Sequence, residues 1–370
     1  MMRNFLTGML PVVAMGALLL QLAGCAVSAQ KADPTEQVQI PQYQPVESTT
    51  LPEPAVTERP EETYPPLRSS SGAYQDCGSG VIRVDNSAFE LYDYVDSQAQ
   101  RYADAVNTVA LGLKGVADVY CMTIPTGIGI VLPDDIAGSL PGYVDQGEVI
   151  SRIHEKLGDF VIPVNCYDNL MDHRDEYLYF RTDYHWNGLG AYYAYEAFCR
   201  EKGVEVYTLE QRKELRFDGF RGAFCGTVPS LAQEPDTVIA YCPVSESASM
   251  RYTDRNGNTY DWNIVMDVSN WSAASKYSTF AAGDNPIAVF TNPEADPESV
   301  CIVVKESYGN ALLPYLVDHY GVIYELDYRY WQGELVSFAK ETGADDLLFA
   351  NNLSMIRSDY LVGLLAQKAK

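Results

Sequence analysis

Val300-Cys301-Ile302-Val303-Val304 runs directly into Lys305-Glu306-Ser307, and this stretch decides the fold. A short, unbroken apolar run bounded by polar residues reads as a strand buried on both faces. After the polar turn, helical spacing covers residues 308–320, and a second apolar strand follows Gly321 at 322–326. Strand, helix, strand is a β-α-β unit. A further helix at 333–342 and strand at 347–350 repeat the arrangement. Toward the N-terminus the same alternation predicts strand 81–84, helix 88–113, strand 119–124, helix 147–157 and strand 159–163. The expectation is an α/β domain with a right-handed parallel sheet covered by helices.

Residues 203–297 have a different texture, with short alternating strands and turn signals. Asp254-Arg255-Asn256-Gly257-Asn258, for example, separates Arg251-Tyr252 from Tyr260-Asp261-Trp262. This predicts a β-rich insertion that flanks the site without supplying its chemistry. The sequence shows no internal repeat.

The first residues set one charge, Arg3, ahead of an apolar run that closes on Leu22-Ala23-Gly24-Cys25. That is the layout of a secretory signal peptide, and the run is short for a helix crossing about 30 Å of hydrocarbon. The tetrapeptide resembles the bacterial lipobox. The resemblance implies cleavage before Cys25, lipid on that cysteine, and anchoring to the outer face of a bacterial membrane. The alternatives are ordinary cleavage nearer Ala29 or an uncleaved anchor. Residues 31–72 carry 8 Pro and little aliphatic content, too little to offset the entropy of ordering, so they read as a tether. The remaining residues, 73–370, suffice for a large core.

A formal charge of −24 argues against nucleic acid and against adhesion to anionic lipid. The eight cysteines contain no Cys-x-x-Cys pair, which argues against a zinc ribbon.

Ligands of open parallel sheets sit at the carboxyl ends of the strands. The predicted strand ends lead into Asp85, Pro125-Thr126, Lys305-Glu306-Ser307, Asp327-Tyr328-Arg329 and Asn351-Asn352. Of the four histidines, His185 is the strongest candidate base. It follows Asp183 in a polar turn before a helix rich in Tyr and Ala, where the backbone can turn a carboxylate onto the imidazole. The alternative is that Asp183 only caps that helix. Ser307, between strand and helix, is the matching nucleophile, with an N-cap serine as its alternative. His319 would lie roughly 18 Å from Ser307 at 1.5 Å per residue. His173 sits in a charged loop and His154 in an amphipathic helix. A metal at Asp183 and His185 would need further ligands that the sequence does not cluster there, so neither metal nor cofactor is expected.

Thr182-Asp183-Tyr184-His185-Trp186 with Gly188-Leu189-Gly190-Ala191-Tyr192-Tyr193-Ala194-Tyr195 resembles the bacterial DHHW protein family. Lys305-Glu306-Ser307-Tyr308-Gly309-Asn310-Ala311, His319-Tyr320 and Asp327-Tyr328-Arg329-Tyr330-Trp331 resemble its second block. That family is similar to SGNH-hydrolase-like proteins, including alginate O-acetyltransferases. The resemblance implies a flavodoxin-like, SGNH-type three-layer sandwich over residues 73–370. It also implies a triad of Asp183, His185 and Ser307, permuted in order relative to ordinary SGNH esterases. Two positions depart from the pattern: Tyr184 stands for the family's middle His, and Lys305-Glu306-Ser307 for Gly-Asp-Ser. Candidate oxyanion donors are the Ser307 amide, Gly226, Asn310, Asn351 and Asn352; Arg329 and Trp186 are candidates for substrate contact.

The function implied is acyl-ester chemistry on O-acetyl groups of envelope polysaccharide, as esterase or transferase. A transferase outside the cytoplasm would need a membrane partner to deliver acyl groups. The rival reading is a non-catalytic glycan- or protein-binding surface protein that stacks ligand on Tyr184, Trp186, Tyr328, Tyr330 and Trp331.

Overall fold

The computed structural model describes residues 73–370; the expected signal peptide, Cys25 and the Pro-rich tether lie outside the described residues. One sheet holds strands β1 (Asp118–Ile124), β2 (Val161–Val164), β3 (Ser249–Thr253), β4 (Thr259–Trp262), β5 (Ile287–Thr291), β6 (Val300–Lys305), β7 (Val322–Asp327) and β8 (Asp346–Asn352). Their spatial order is β2-β1-β8-β6-β7-β5-β3-β4. The five strands β2, β1, β8, β6 and β7 are mutually parallel. Strands β5, β3 and β4 extend the sheet antiparallel.

Counted from β6, the parallel strands run 2-1-3-4-5, the flavodoxin-like order. The chain therefore has that topology with its starting point moved. Alternation along the strands assigns the layers. Cys301, Val303, Leu348 and Ala350 face helix α3 (Gly188–Lys202) and the segment after β6. Ile302, Val304, Leu347 and Phe349 face helices α1 (Asp96–Gly112), α2 (Gln146–His154), α4 (Leu335–Thr342) and α5 (Asp359–Lys368). The chain leaves β6 toward the first layer, with Leu312 and Leu316 in that core, and leaves β8 toward the second, with Leu353 and Ile356. In open sheets of this order the ligand crevice lies at that switch point, outside the carboxyl ends of β6 and β8.

Three details differ from the sequence expectation. The strand Val81–Val84 pairs with Gln75–Asp76 and Ser87–Glu90 in a separate antiparallel sheet, and does not join the parallel one. The residues expected to begin helix α1 are thus a strand, because the turn at Asp85, with φ 48°, folds Ser87–Glu90 back on its neighbour. The expected helix 308–320 is three short pieces, Ser307–Ala311, Leu313–Leu316 and Val317–His319. Pro314 lacks the amide that a continuous helix would require there. The region 203–297 divides, with Glu214–Phe220 and Asp236–Tyr241 forming their own hairpin while β3, β4 and β5 extend the main sheet.

Candidate active site

Asp183, His185 and Ser307 are 7%, 6% and 6% exposed and lie in one chain of hydrogen bonds at the crevice. His185 Nδ1 is 2.6 Å from Asp183 Oδ1, and His185 Nε2 is 2.7 Å from Ser307 Oγ. With Nδ1–H donating to the carboxylate, Nε2 is the acceptor for the Ser307 hydroxyl. Both ring nitrogens are then committed.

Neither capping alternative describes these residues. Helix α3 is capped by Asn187, whose Oδ1 accepts from the amides of Leu189 at 2.9 Å and Gly190 at 3.2 Å, so Asp183 is released for His185. The turn after β6 is capped by Glu306, whose Oε2 accepts from the Tyr308 amide at 3.1 Å, so the Ser307 hydroxyl is released as well.

Asp183 is fixed at both oxygens. Oδ1 also accepts from the His185 amide at 3.0 Å, and Oδ2 from the Ala223 amide at 2.8 Å. Burial pushes this carboxyl up, but the His185 charge and hydrogen bond, joined by the two amides, more than offset it and hold it below the usual range. The Ala223 loop can approach so closely only because Gly222 has no side chain. A Cβ there would lie 2.2 Å from Asp183 Cβ.

Besides Gly222 and Ala223, two more residues of the 203–297 region, Tyr277 and Asp236, shape the site, which sequence patterning did not reveal. Tyr277 stacks on the His185 ring at 4.1 Å with 17° between planes, and its hydroxyl donates to the Ser307 carbonyl at 3.1 Å. Tyr184 packs on the imidazole at 4.2 Å. Asp236, fully buried, accepts from Tyr177 Oη at 2.6 Å, Thr182 Oγ1 at 2.6 Å, the Thr182 amide at 2.8 Å and Arg181 Nε at 3.1 Å. One carboxylate thereby sets the loop that delivers Asp183 and His185. This region does more than flank the site.

Lys305 and Glu306, the departures from Gly-Asp-Ser, are both fully buried. Lys305 Nζ lies 2.6 Å from Glu325 Oε1 and donates to Asn310 Oδ1 at 2.5 Å, with Asp284 and Asp327 each 3.8 Å away. Burial works against its ammonium form, but Glu325, Asp327 and Asp284 outweigh that and hold it charged. Burial pushes Glu325 up to about 7, against the pull of Lys305. Glu306 Oε1 accepts from the Asn352 amide at 2.8 Å, which ties the ends of β6 and β8 together.

The remaining candidates separate. Trp186 is fully buried and its Nε1 donates to the Tyr308 carbonyl at 2.9 Å, which makes it a core residue. Tyr328 and Trp331 are buried too, at 3% and 7% exposure, which with Trp186 removes three of the five rings from the stacking surface of the rival reading and leaves Tyr184 and Tyr330. Asn310 is held between Lys305 and Asp284. Asn351 accepts from Tyr102 at 3.1 Å. The Gly226 amide is used in a turn to the Ala223 carbonyl at 3.1 Å. Arg329 is clamped by Asp327 at 2.6 and 2.8 Å and by Asp284 at 2.8 Å. Asn352 keeps a donor in reserve, since its buried Nδ2 has no hydrogen-bond partner. His319 is occupied by Tyr195 at 2.7 Å, away from this chain of bonds.

The sequence model of the DHHW protein family matches residues 67–326. A crystal structure of a DHHW family protein from Eubacterium siraeum is similar to this chain with a TM-score of 0.70 and 30% identity, covering 78% of this chain and 95% of that one. Bacillus cereus PatB1 bearing a sulfonyl adduct gives a TM-score of 0.63 at 18% identity, with 76% and 96% covered. A second structure of Bacillus cereus PatB1 gives 0.61 at 18% identity, with 76% and 98% covered. No curated protein matches the sequence.

Proposed function

The chain belongs to the DHHW family, and from that premise and the relay Asp183–His185–Ser307 we propose that it is a surface lipoprotein that cleaves or transfers O-acetyl groups of envelope polysaccharide. The observation that carries this reading is the 2.7 Å contact between His185 Nε2 and Ser307 Oγ, backed by the 2.6 Å contact to Asp183. A serine is a weak nucleophile until an adjacent base takes its proton.

Ser307 Oγ attacks the acetyl carbonyl carbon as its proton passes to His185 Nε2. Charge gathers on the former carbonyl oxygen, for which the Ser307 amide is the nearest donor in the chain. The C–O bond to the donor oxygen then breaks, and His185 returns the proton to that oxygen, leaving acetyl-Ser307. Water or a sugar hydroxyl, giving its proton to His185, attacks the acetyl carbon; the bond to Ser307 Oγ then breaks as His185 Nε2 returns the proton to Oγ, releasing acetate or the new acetyl ester. Water as acceptor makes an esterase and a sugar hydroxyl a transferase; a membrane acyl-donor protein is the partner for the second case. Asp183 stays ionised and stabilises the transient imidazolium.

The full chain, purified in mild detergent, is tested on p-nitrophenyl acetate and on acetylated oligosaccharides beside Ser307→Ala and His185→Ala. A sulfonyl fluoride should label Ser307. Equal rates for wild type and both variants, or labelling of a different residue, would sink the proposal. Lipidation is checked separately: Cys25→Ala should move the protein out of the membrane fraction.

A further inference from the structure

A cavity of about 340 Å³ opens on the edge of the domain beside the crevice, and its size suits a disaccharide-sized ligand. It is framed by Glu90–Asp93 as the chain leaves the small antiparallel sheet, by the loop carrying Tyr143, and by Arg357 after β8. A narrower cleft lined by Asp183, Tyr184, Thr126 and Phe224 shares Glu90 and Ile128 with it. The cavity therefore shares a wall with the cleft beside Asp183 and Tyr184, the residues packed against the His185 ring.

We infer that this hollow is a subsite for an uncharged stretch of polysaccharide, placed beside the sugar whose acetyl group meets Ser307; the inference rests on the acyl-ester reading above. The chemistry of the lining supports a sugar. With Glu90 held at both oxygens by Arg357 and Ser354, the largely exposed Asp93 offers its carboxylate to sugar hydroxyls, and the half-buried Tyr143 offers a ring for the apolar face of a pyranose.

The same lining excludes acidic sugars. Its one cation, Arg357, is already spent, with Glu90 Oε1 at 2.8 Å, Asp93 Oδ1 at 2.6 Å and the Leu91 carbonyl at 3.1 Å. Two carboxylates against one guanidinium leave the hollow net negative, in a chain of formal charge −24. A polyuronate would find no free cation and a repulsive field.

The test uses the full chain carrying Ser307→Ala for binding and active protein for turnover, each with and without Tyr143→Ala and, separately, Asp93→Asn. Titration calorimetry with β-1,4-xylotetraose should give saturable binding to the parent, at least tenfold tighter than to tetramannuronate, and at least tenfold weaker in either variant. For active protein, the ratio of kcat/KM on acetylated xylotetraose to that on p-nitrophenyl acetate should fall at least tenfold in both variants. Equal binding of the uronate, or xylotetraose binding indifferent to both substitutions, overturns the subsite. If no ester is turned over while the binding pattern holds, the enzymatic reading fails and the subsite stands.

Discussion

Asp183→Asn is the substitution that probes the relay most directly. Asp183 accepts three hydrogen bonds, from His185 Nδ1, the His185 amide and the Ala223 amide, and an asparagine can serve only part of that set. With its oxygen toward His185, its NH₂ opposes the Ala223 amide and orphans a buried donor, costing about 1–3 kcal/mol of stability. With its NH₂ toward His185, Nδ1 must become the acceptor. The proton then moves to Nε2, which can no longer take one from Ser307. In either orientation the imidazolium loses its carboxylate. For charge centres about 4 Å apart at an effective dielectric near 20, that attraction is worth about 4 kcal/mol, or roughly a thousandfold in rate. Expected, then, is a fall in kcat/KM on p-nitrophenyl acetate of about 10³-fold, with slower sulfonyl labelling of Ser307 and a modestly lower Tm. A variant within tenfold of wild type, on a melt showing intact fold, would refute the claim that Asp183 acts through its charge.

Gly222→Ala should cost about 1–3 kcal/mol by overpacking, because the new Cβ falls 2.2 Å from Asp183 Cβ and 2.6 Å from the Thr182 carbonyl oxygen; urea unfolding unchanged from wild type would contradict the close approach. Tyr277→Phe keeps the ring on His185 but loses the bond to the Ser307 carbonyl, for an expected stability loss of about 1 kcal/mol, again read by urea unfolding. Glu325 titrates from 4.5 when unfolded to about 7 in the fold, so between those pH values the folded chain holds a proton that the unfolded chain has lost. Its contribution is complete below about 4.5 and declines as pH rises to 7, by about 3 kcal/mol at most. Glu325→Gln should flatten that fall, and parallel Tm-versus-pH curves for the two proteins between pH 4.5 and 7 would count against it.

Much of the sheet was legible because its strands are buried on both faces and therefore apolar throughout: 300–304 and 322–326 each fall within one residue of the observed ends of β6 and β7. Where a local contact outweighs periodicity, the pattern misled. Ser87–Glu90 belongs to a hairpin closed by a two-residue turn, and nothing in Ala88-Phe89-Glu90 separates a strand from the first turn of a helix. Asp183, His185 and Ser307 were visible as types of residue at strand ends and turns. Tyr277, Asp236 and the Ala223 amide were not. They lie in a region whose own pattern is only that of short strands, and their importance comes from hydrogen bonds made 30 to 59 residues apart in sequence. The lysine preceding Glu306 would read as an intrusion in a catalytic turn, but its charge is absorbed by carboxylates on neighbouring strands.

The position of β8 has a consequence for how the molecule comes into being. It is the last strand among the described residues, yet it lies between β1 and β6, hydrogen-bonded to both. A polypeptide emerging amino end first, from a ribosome or through a membrane pore, makes β1 and β2 early and must wait more than two hundred residues for the neighbour that closes their open side. Until then the sheet exists as two unjoined halves, and non-local closure of this kind is slow. The crevice beside Ser307 cannot exist before the keystone is seated, so any chemistry performed there is withheld until β8 has been made and has paired with both neighbours.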